Sequence, residues 1–162
     1  MNDKVKELWG RRKKMLPNFN CILYPDGTVT VLNFFKIYDS NVKTYHVVIS
    51  PLCDTTLDSV LKYHDNSWVL IDEWHRISND SGIFLSGEGA FGSDGFVAHT
   101  DFDGELKWAI FFNQSNPIKE LNIHNDYLVG LSEHENAKIE INLKQLTDIT
   151  FTYMENHKMT FM

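Results

Sequence analysis

The chain has 162 residues, of which 43% are hydrophobic, and this length predicts a single domain with its own core. Residues 1–14 carry six cations and two acids, whereas the rest of the chain carries nine cations and twenty acids, a net charge of −11. A body with this charge repels nucleic acid and anionic membranes and attracts basic proteins. We therefore predict no direct nucleic-acid partner for the body, although the basic segment GRRKKM at residues 10–15 is able to contact one by itself.

The search for targeting signals and the setting of the cysteines predict the cellular compartment. No apolar run approaches the roughly 20 residues that a membrane helix needs, and the N-terminus lacks the uninterrupted hydrophobic core of a signal peptide. These features predict a cytoplasmic protein with no membrane partner. Cys21 and Cys53 lack CxxC spacing and lie in apolar stretches, so we predict buried free thiols and neither a disulfide nor a metal site.

The first third of the chain predicts two helices and three strands. Residues 1–16 form a basic N-terminal helix in this interpretation, with Pro17 as its stop. The turn sequence Pro-Asp-Gly at residues 25–27 joins the β-rich runs 20–24 and 28–35 into a hairpin. The segment TYHVVIS, residues 44–50, predicts a third strand. Asp54 is then predicted to cap a short helix near residues 55–64.

From residue 67 onward the pattern predicts strand after strand, with turns rich in Gly, Asp and Asn. Eight segments have this character: SWVLIDEWHRI (67–77), GIFLSG (82–87), GFVAHTD (95–101), ELKWAIFF (105–112), IKELNIHN (118–125), YLVGLSE (127–133), KIEINL (138–143) and DITFTYM (148–154). No long helices alternate with them, which disfavours a parallel α/β sheet. The predicted fold is mainly β, with antiparallel hairpins or a meander, blade-like or sandwich-like. An acidic β-rich body at 17–162 follows the N-terminal helix within one domain, 1–162.

The segment SGEGAFGSDGFVA, residues 86–98, is very similar to the glycine-rich loop that covers ATP in protein kinases. A kinase also needs a lysine on the next strand, a catalytic aspartate and a D-F-G metal-binding motif in a helical lobe. His99 and Thr100 stand where that lysine should follow Val97 and Ala98. The segment TDFDGE at 100–105, which is similar to D-F-G, comes too soon after the glycine-rich loop to leave room for the helical lobe. We therefore reject the kinase interpretation. The segment predicts a glycine-rich connection that carries Glu88 and Phe91 as a candidate recognition loop.

Catalytic patterns are incomplete elsewhere in the chain. No G-x-S-x-G elbow and no P-loop is present, and neither cysteine has a setting that marks a nucleophile. Glu73 and His75 lie on the same side of a predicted strand. They are either an acid–base pair or an exposed charge pair, and the exposed charge pair is the favoured interpretation. A metal site at Asp101 and Asp103 is a second alternative. We predict no catalytic residue, no metal and no cofactor, with a small hydrolase or metal-dependent enzyme as the alternative.

An internal repeat links two hairpins. DGFVAHTDFDGELKWAI, residues 94–110, aligns with DYLVGLSEHENAKIEI, residues 126–141, after a one-residue adjustment, so each copy predicts a strand, an acidic turn and a second strand. The first copy resembles the blade motif of quinoprotein-type β-propellers, in which G-x-V-x-A is followed by an acid, a Gly turn and a Trp. The matching residues are Gly95, Val97, Asp101, Gly104 and Trp108, with Ala98 one place early. This resemblance implies blade-like hairpins over about a third of the chain, and we infer no quinone cofactor from it.

Acidic residues lie in and beside the turns of both copies. If the copies stack as neighbours, these turns form one negatively charged rim on which exposed aromatic residues act as anchors. The predicted partner-binding residues are Glu88, Phe91, Asp94, Asp101, Phe102, Asp103, Glu105, Glu133 and Glu135. Trp74 and Trp108 are further candidate anchors, and Trp108, in the middle of a predicted strand, is favoured as a core residue.

The chain is short, acidic, aromatic-rich and dominated by predicted strands. In this general character it resembles bacterial immunity proteins, the antitoxins that protect a cell from contact-delivered or polymorphic nuclease toxins. The resemblance implies a toxin inhibitor whose acidic surface covers the cationic nucleic-acid-binding cleft of a basic nuclease domain. A structural or accessory β-domain is the other alternative.

Overall fold

A computed structural model describes residues 1–10, 12–63, 68–90, 92–134 and 137–153. The helices are α1 (Asp3–Trp9) and α2 (Leu57–Tyr63). The strands are β1 (Met15–Pro17), β2 (Cys21–Leu23), β3 (Thr28–Asp39), β4 (Thr44–Thr56), β5 (Trp68–Asn79), β6 (Gly82–Gly89), β7 (Gly95–Thr100), β8 (Leu106–Phe112), β9 (Ile118–His124), β10 (Tyr127–Ser132), β11 (Ala137–Asn142) and β12 (Ile149–Tyr153).

All the strands belong to one sheet, in the order β1-β5-β6-β7-β8-β2-β3-β4-β12-β11-β10-β9, and every strand pair is antiparallel. The sheet curls, so that β9 at one end of this order lies against β5 and β6 near the other end. The backbone N–H of Leu121 in β9 donates to Nδ1 of His75 in β5 at 2.9 Å. The predicted mainly-β antiparallel fold with an N-terminal helix and one short helix is confirmed.

The predicted hairpin at the Pro-Asp-Gly turn is present as β2 and β3, with Cys21 opposite Val31 and Leu23 opposite Val29. The backbone N–H of Tyr24 donates to the Thr28 carbonyl at 2.9 Å, which closes the turn. Gly27 has a φ of +90°, a backbone conformation that a side chain would disfavour. The local sequence therefore favours this hairpin, and β2 is also held from its other side by pairing with β8.

The N-terminal helix is shorter than the predicted 1–16. Asn2 caps α1 by accepting the backbone N–H of Lys4 at 2.9 Å, and the helix ends at Trp9, with Gly10 as its C-cap. Glycine is a poor helix former, and it offers a natural end here. Residues Met15–Pro17 lie beyond this end and pair with β5 as a strand. Pairing with β5 provides hydrogen bonds to the backbone N–H and C=O groups of these residues, which would otherwise form hydrogen bonds within a longer helix.

The second helix begins after Thr56, and Asp54 is not its cap. The Thr56 hydroxyl accepts the backbone N–H of Ser59 at 3.1 Å, the pattern of an N-cap residue. Asp54 lies in β4, where its carboxylate accepts the Thr30 hydroxyl at 2.7 Å. The end of the predicted helix, at His64, lies outside the described residues.

Strands β2, β7 and β8 are buried on both faces. One face carries Phe96 and Phe111 and packs against a layer that includes α1 and α2. The other face carries Val97 and Ile110 and packs against side chains of β9–β12, such as Ile139. The molecule therefore has three layers, with the curled sheet supplying two of them. Burial on both faces explains why every residue of β7 is buried, in contrast to the alternation of a half-exposed strand.

The glycine-rich segment is mostly strand. Its first four residues, 86–89, continue β6, and only residues 90–94 connect β6 to β7. A Cβ on Gly87 would lie 1.9 Å from the Asp72 carbonyl oxygen, so glycine permits the close approach of β5 at this point. The predicted connection between strands is therefore shorter than its sequence indicates, and Phe91 within it lies outside the described residues.

Candidate interaction surface

The predicted rim is divided between the two ends of β7. Asp94 directly precedes β7 and Asp101 directly follows it, so they lie about 20 Å apart along the strand. The two hairpins of the repeat are both present, as β7–β8 and β10–β11. They are not neighbours in the sheet, because β2, β3, β4 and β12 separate β8 from β11. The condition for a single rim, that the two copies lie side by side, is therefore not met in the sheet.

Glu133, which follows β10, lies at the Asp94 end of the molecule. Its backbone N–H donates to the Pro117 carbonyl at 2.8 Å, and the neighbouring Asn116 N–H donates to the Ser93 carbonyl at 3.0 Å. This arrangement places Glu133 near Glu88 and away from the β7–β8 turn. Glu135, the last predicted rim residue, lies outside the described residues.

The turn between β7 and β8, residues 101–105, is held by its own hydrogen bonds and is called the acidic turn below. One carboxylate oxygen of Asp101 accepts the backbone N–H groups of Asp103 and Glu105, each at 2.9 Å. The Asp101 N–H also donates to the Glu105 carbonyl at 2.9 Å. Gly104 supplies the left-handed conformation, with a φ of +87°. Asp101 therefore organises the turn, and the other acids are presented to solvent.

Helix α1 supports the acidic turn from below. The indole Nε1 of Trp9 donates to the Gly104 carbonyl at 3.1 Å, and the Trp9 side chain is 1% exposed in the core. The sequence carries no local signal for this contact, which spans 95 residues of chain. The turn is thus anchored to the core at its tightest point.

The exposed part of the acidic turn combines an aromatic side chain with carboxylates. Phe102 is 63% exposed, and Asp103 and Glu105 are exposed beside it. Phe102 also forms a wall of two shallow depressions of about 290 and 220 Å³. Asp80, in the neighbouring β5–β6 turn, is a further exposed acid that sequence analysis missed. Within the described part of the chain, neither Asp103 nor Glu105 makes an ion pair.

A second group of acids, the carboxylate cluster, comprises Asp72, Glu88, Asp94 and Glu133. Asp72 and Glu88 are directly opposite each other in β5 and β6. Burial, and then the charges of Asp72, Asp94 and Glu133, raise the pKa of the Glu88 carboxyl above its ordinary value. Burial also raises the pKa of Asp94, whose carboxylate accepts the Gly89 N–H at 2.8 Å. Like charges opposite each other destabilise a sheet, so this cluster costs stability at neutral pH.

We expect Glu88→Gln to raise the free energy of unfolding at pH 7 by about 0.5 kcal/mol, because it removes one charge from the carboxylate cluster. The folded-state pKa of the Glu88 carboxyl is raised, so its ionised form destabilises the folded protein fully above that pKa. This destabilisation is lost as the pH falls below the ordinary pKa of glutamate. The gain from the substitution should therefore disappear in acid. Urea unfolding at several pH values measures it.

The matched control is Glu120→Gln, because exposed Glu120 in β9 lies opposite Leu131 and no carboxylate. It should change the free energy of unfolding by less than Glu88→Gln does, because no like charge lies opposite it in the strand pair. Equal effects of the two substitutions would show that the carboxylate cluster carries no special repulsion.

Glu73 and His75, the candidate acid–base pair, each form hydrogen bonds with other residues. The Glu73 carboxylate accepts two hydrogen bonds from Arg76, at 2.7 and 2.8 Å. His75 Nδ1 accepts the Leu121 N–H, and a bulge at Trp74 shifts the register between Glu73 and His75. Within the described ranges, no group of three or more His, Cys, Asp or Glu side chains is arranged to hold a metal ion.

The two candidate tryptophan anchors differ in exposure. Trp74 is 41% exposed on β5, whereas Trp108 is buried, as favoured from its position in the strand. The Trp108 ring contacts His99, which stacks on Phe84 with ring centroids 4.1 Å apart. Burial, together with the charge of Lys107, lowers the pKa of His99 to about 4. His99 is therefore a neutral core residue at pH 7.

The prediction of two buried thiols holds for Cys21 only. Cys21 is 1% exposed, and burial raises the pKa of its thiol. Cys53 in β4 is exposed. Both cysteines are free, as predicted. Neither helix in the described ranges has the length and apolar character needed to span a bilayer.

Comparisons of the chain with known protein families, with curated proteins and with solved structures return no match.

Proposed function

We propose that this protein binds a basic protein partner through the acidic turn and acts as an immunity protein against a nuclease toxin. The observation that carries the proposal is the exposed Phe102 flanked by the carboxylates of Asp103 and Glu105, which form no ion pair with any described residue, on a turn that Trp9 contacts from the core. An aromatic anchor within a charged rim is the usual composition of a binding hot spot.

The pre-organised turn favours tight binding. Ordering a mobile loop costs free energy at the moment of association, and this cost is smaller when the loop already has its bound conformation. Asp101 fixes the backbone of the acidic turn through two hydrogen bonds, and Gly104 is fixed by Trp9. Phe102 is then the side chain that enters a pocket on the partner.

The charge of the protein supplies the second part of the mechanism. With a net charge of −7, the chain attracts a basic nuclease domain at long range, and the acidic turn presents the exposed carboxylates of Asp103 and Glu105 to it. Nuclease clefts carry cations that neutralise phosphates. Covering those cations with carboxylates excludes the nucleic acid substrate by direct competition. The toxin is inhibited without any chemistry on the immunity protein.

The test uses the protein encoded by the preceding reading frame, which the proposal expects to carry a basic nuclease domain. The wild-type protein should bind it and inhibit its nuclease activity at stoichiometric concentration. Asp103→Lys combined with Glu105→Lys should weaken binding about 100-fold, because four units of charge change at the contact. Asp101 is left intact, since its substitution would unfold the turn and confuse the result.

The matched control is Glu120→Lys combined with Glu140→Lys, in the middle of β9 and β11. It changes the net charge of the protein by the same amount but lies away from the acidic turn. Inhibition should persist in this variant. Equal losses in both double variants would show that only net charge matters and would refute the assignment to the turn.

A further inference from the structure

The hairpin of β3 and β4 has an exposed apolar face that the acidic turn does not explain. Opposite residues in an antiparallel pair share a face, and Phe35 lies opposite Val48 and Ile37 opposite His46. These side chains define the outer face, which comprises Val31, Asn33, Phe35 and Ile37 of β3 and His46, Val48, Ser50 and Cys53 of β4. Phe35, Ile37 and Val48 are 56%, 55% and 48% exposed.

The outer face is exposed because the helical layer ends beneath it. Val29, two residues before Val31, is fully buried in the same core cluster as Leu57 of α2. Farther along β3, the described part of the chain offers no helix to cover Phe35 and Ile37. The inner face of the same hairpin is covered, since Phe34 packs against Phe151 of β12 with ring centroids 5.5 Å apart. The inner face is thus covered at Phe34, although Tyr38 and Tyr45 at its far end are exposed, whereas the outer face is open at Phe35 and Ile37.

A groove continues the outer face at its base. It has a volume of about 560 Å³, and its lining includes Phe19, Val31, Cys53, Val60 and Tyr63. Tyr63, at the end of α2, is 67% exposed on the side of the groove. Groove and outer face share Val31 and Cys53, so they form one continuous apolar surface.

We propose that the outer face and its groove bind the same surface of a second copy of this chain, forming a two-fold symmetric dimer. None of the eight outer-face residues is Asp, Glu, Lys or Arg, although the whole chain carries a net charge of −7. Asp39, the next residue of β3 on this side, has its carboxylate 3.1 Å from His46 Nε2, so this carboxylate is already engaged within the chain. Two acidic chains repel each other less through an uncharged apolar surface, and such a surface is complementary to itself.

The size of the surface fits a weak dimer. Specific interfaces bury about 1,000 Å² or more in total, so a contact confined to the outer face and the groove lies toward the weak end of this range. We expect a dissociation constant of roughly 1–100 µM. Added salt should strengthen the dimer, because it screens the repulsion between two acidic chains. Binding of a basic partner at the acidic turn should weaken with salt, so the two interactions are distinguishable.

The first test is sedimentation velocity over a range of protein concentrations. The wild-type protein should change from monomer to dimer as the concentration rises. Ile37→Lys places a charge in the middle of the outer face, and this variant should stay a monomer. Leu70→Lys is the matched control, since Leu70 is a 42% exposed apolar residue of β5 outside this face, and it should still dimerise. A wild-type protein that stays monomeric at its highest soluble concentration would overturn the proposal.

Cys53 supplies a second readout because it lines the groove and the chain's other thiol, Cys21, is buried. In the wild-type protein, the rate of maleimide labelling of Cys53 should fall as protein concentration rises. In Ile37→Lys, the rate should not depend on concentration. A concentration-independent rate in the wild-type protein would overturn the proposal. If this labelling rate is fast, the groove is uncovered in the monomer. If it is slow, the chain's own residues cover the groove.

Discussion

Replacing Trp9 with alanine is expected to lower the free energy of unfolding by about 3–5 kcal/mol. Trp9 is among the largest fully buried side chains, and it joins α1 to the core face formed by Phe96 and Phe111. The substitution leaves a cavity and removes the hydrogen bond to the Gly104 carbonyl. Chemical denaturation monitored by circular dichroism measures this loss.

Trp9→Phe separates packing from the hydrogen bond. It keeps much of the apolar contact but removes the indole donor, so we expect a smaller loss of about 1–2 kcal/mol. Hydrogen exchange at the amides of Asp103 and Glu105 should become faster in both variants, because the acidic turn loses its attachment. A loss below about 1 kcal/mol for Trp9→Ala would contradict the described position of α1.

Phe102→Ala is expected to weaken binding of the basic partner by about 2 kcal/mol, which is roughly a 30-fold increase in dissociation constant. The side chain is exposed in the free protein, so stability should change by less than about 0.5 kcal/mol. The loss should appear mainly as faster dissociation, since the charges that steer association are unchanged. Calorimetric titration and surface plasmon resonance measure both quantities.

Tyr127→Ala is the matched control for Phe102→Ala. Tyr127 is another exposed aromatic residue, 37% accessible, and lies at the start of β10, outside the acidic turn. Its removal should leave the affinity within about twofold of wild type. An equal loss in the two variants would show that Phe102 is not a specific anchor.

Local patterns were sufficient to predict the strands from β5 onward. Each segment from β5 to β12 has its turn residues beside it, and antiparallel neighbours such as β7 and β8 are joined by a short turn. The Pro-Asp-Gly hairpin was predictable for the same reason. The N-terminal helix was overestimated because its basic residues continue past Gly10, and pairing of Met15–Pro17 with β5 depends on residues far along the chain.

The candidate site was predictable in its composition but not in its arrangement. The acidic character of Asp101–Glu105 and the exposure of Phe102 follow from a turn between two apolar strands. The separation of Glu133 from this turn depends on how the sheet curls, and no local pattern reports that. Asp72 joins Glu88 only through strand register, which a one-residue slip would change.

The outer face of the β3–β4 hairpin could not be predicted for a similar reason. The run VLNFFKIY at residues 31–38 is the pattern of a buried strand, and sequence analysis treated Cys53 as buried too. The strand is long enough to extend past α2, and the exposure of Phe35 and Ile37 depends on where that helix ends. Sequence gives the apolar character of such a strand, whereas tertiary structure decides which face is covered.

The most direct test of the proposed function is the association rate constant between this protein and the protein encoded beside it, which the proposal expects to carry a basic nuclease domain, measured as a function of ionic strength. The wild-type rate should fall steeply as salt is added, and Asp103→Lys with Glu105→Lys should be about 10- to 100-fold slower at low salt. The control Glu120→Lys with Glu140→Lys should be closer to wild type. Absence of binding, or a rate that salt and the reversal at the acidic turn leave unchanged, would contradict the account.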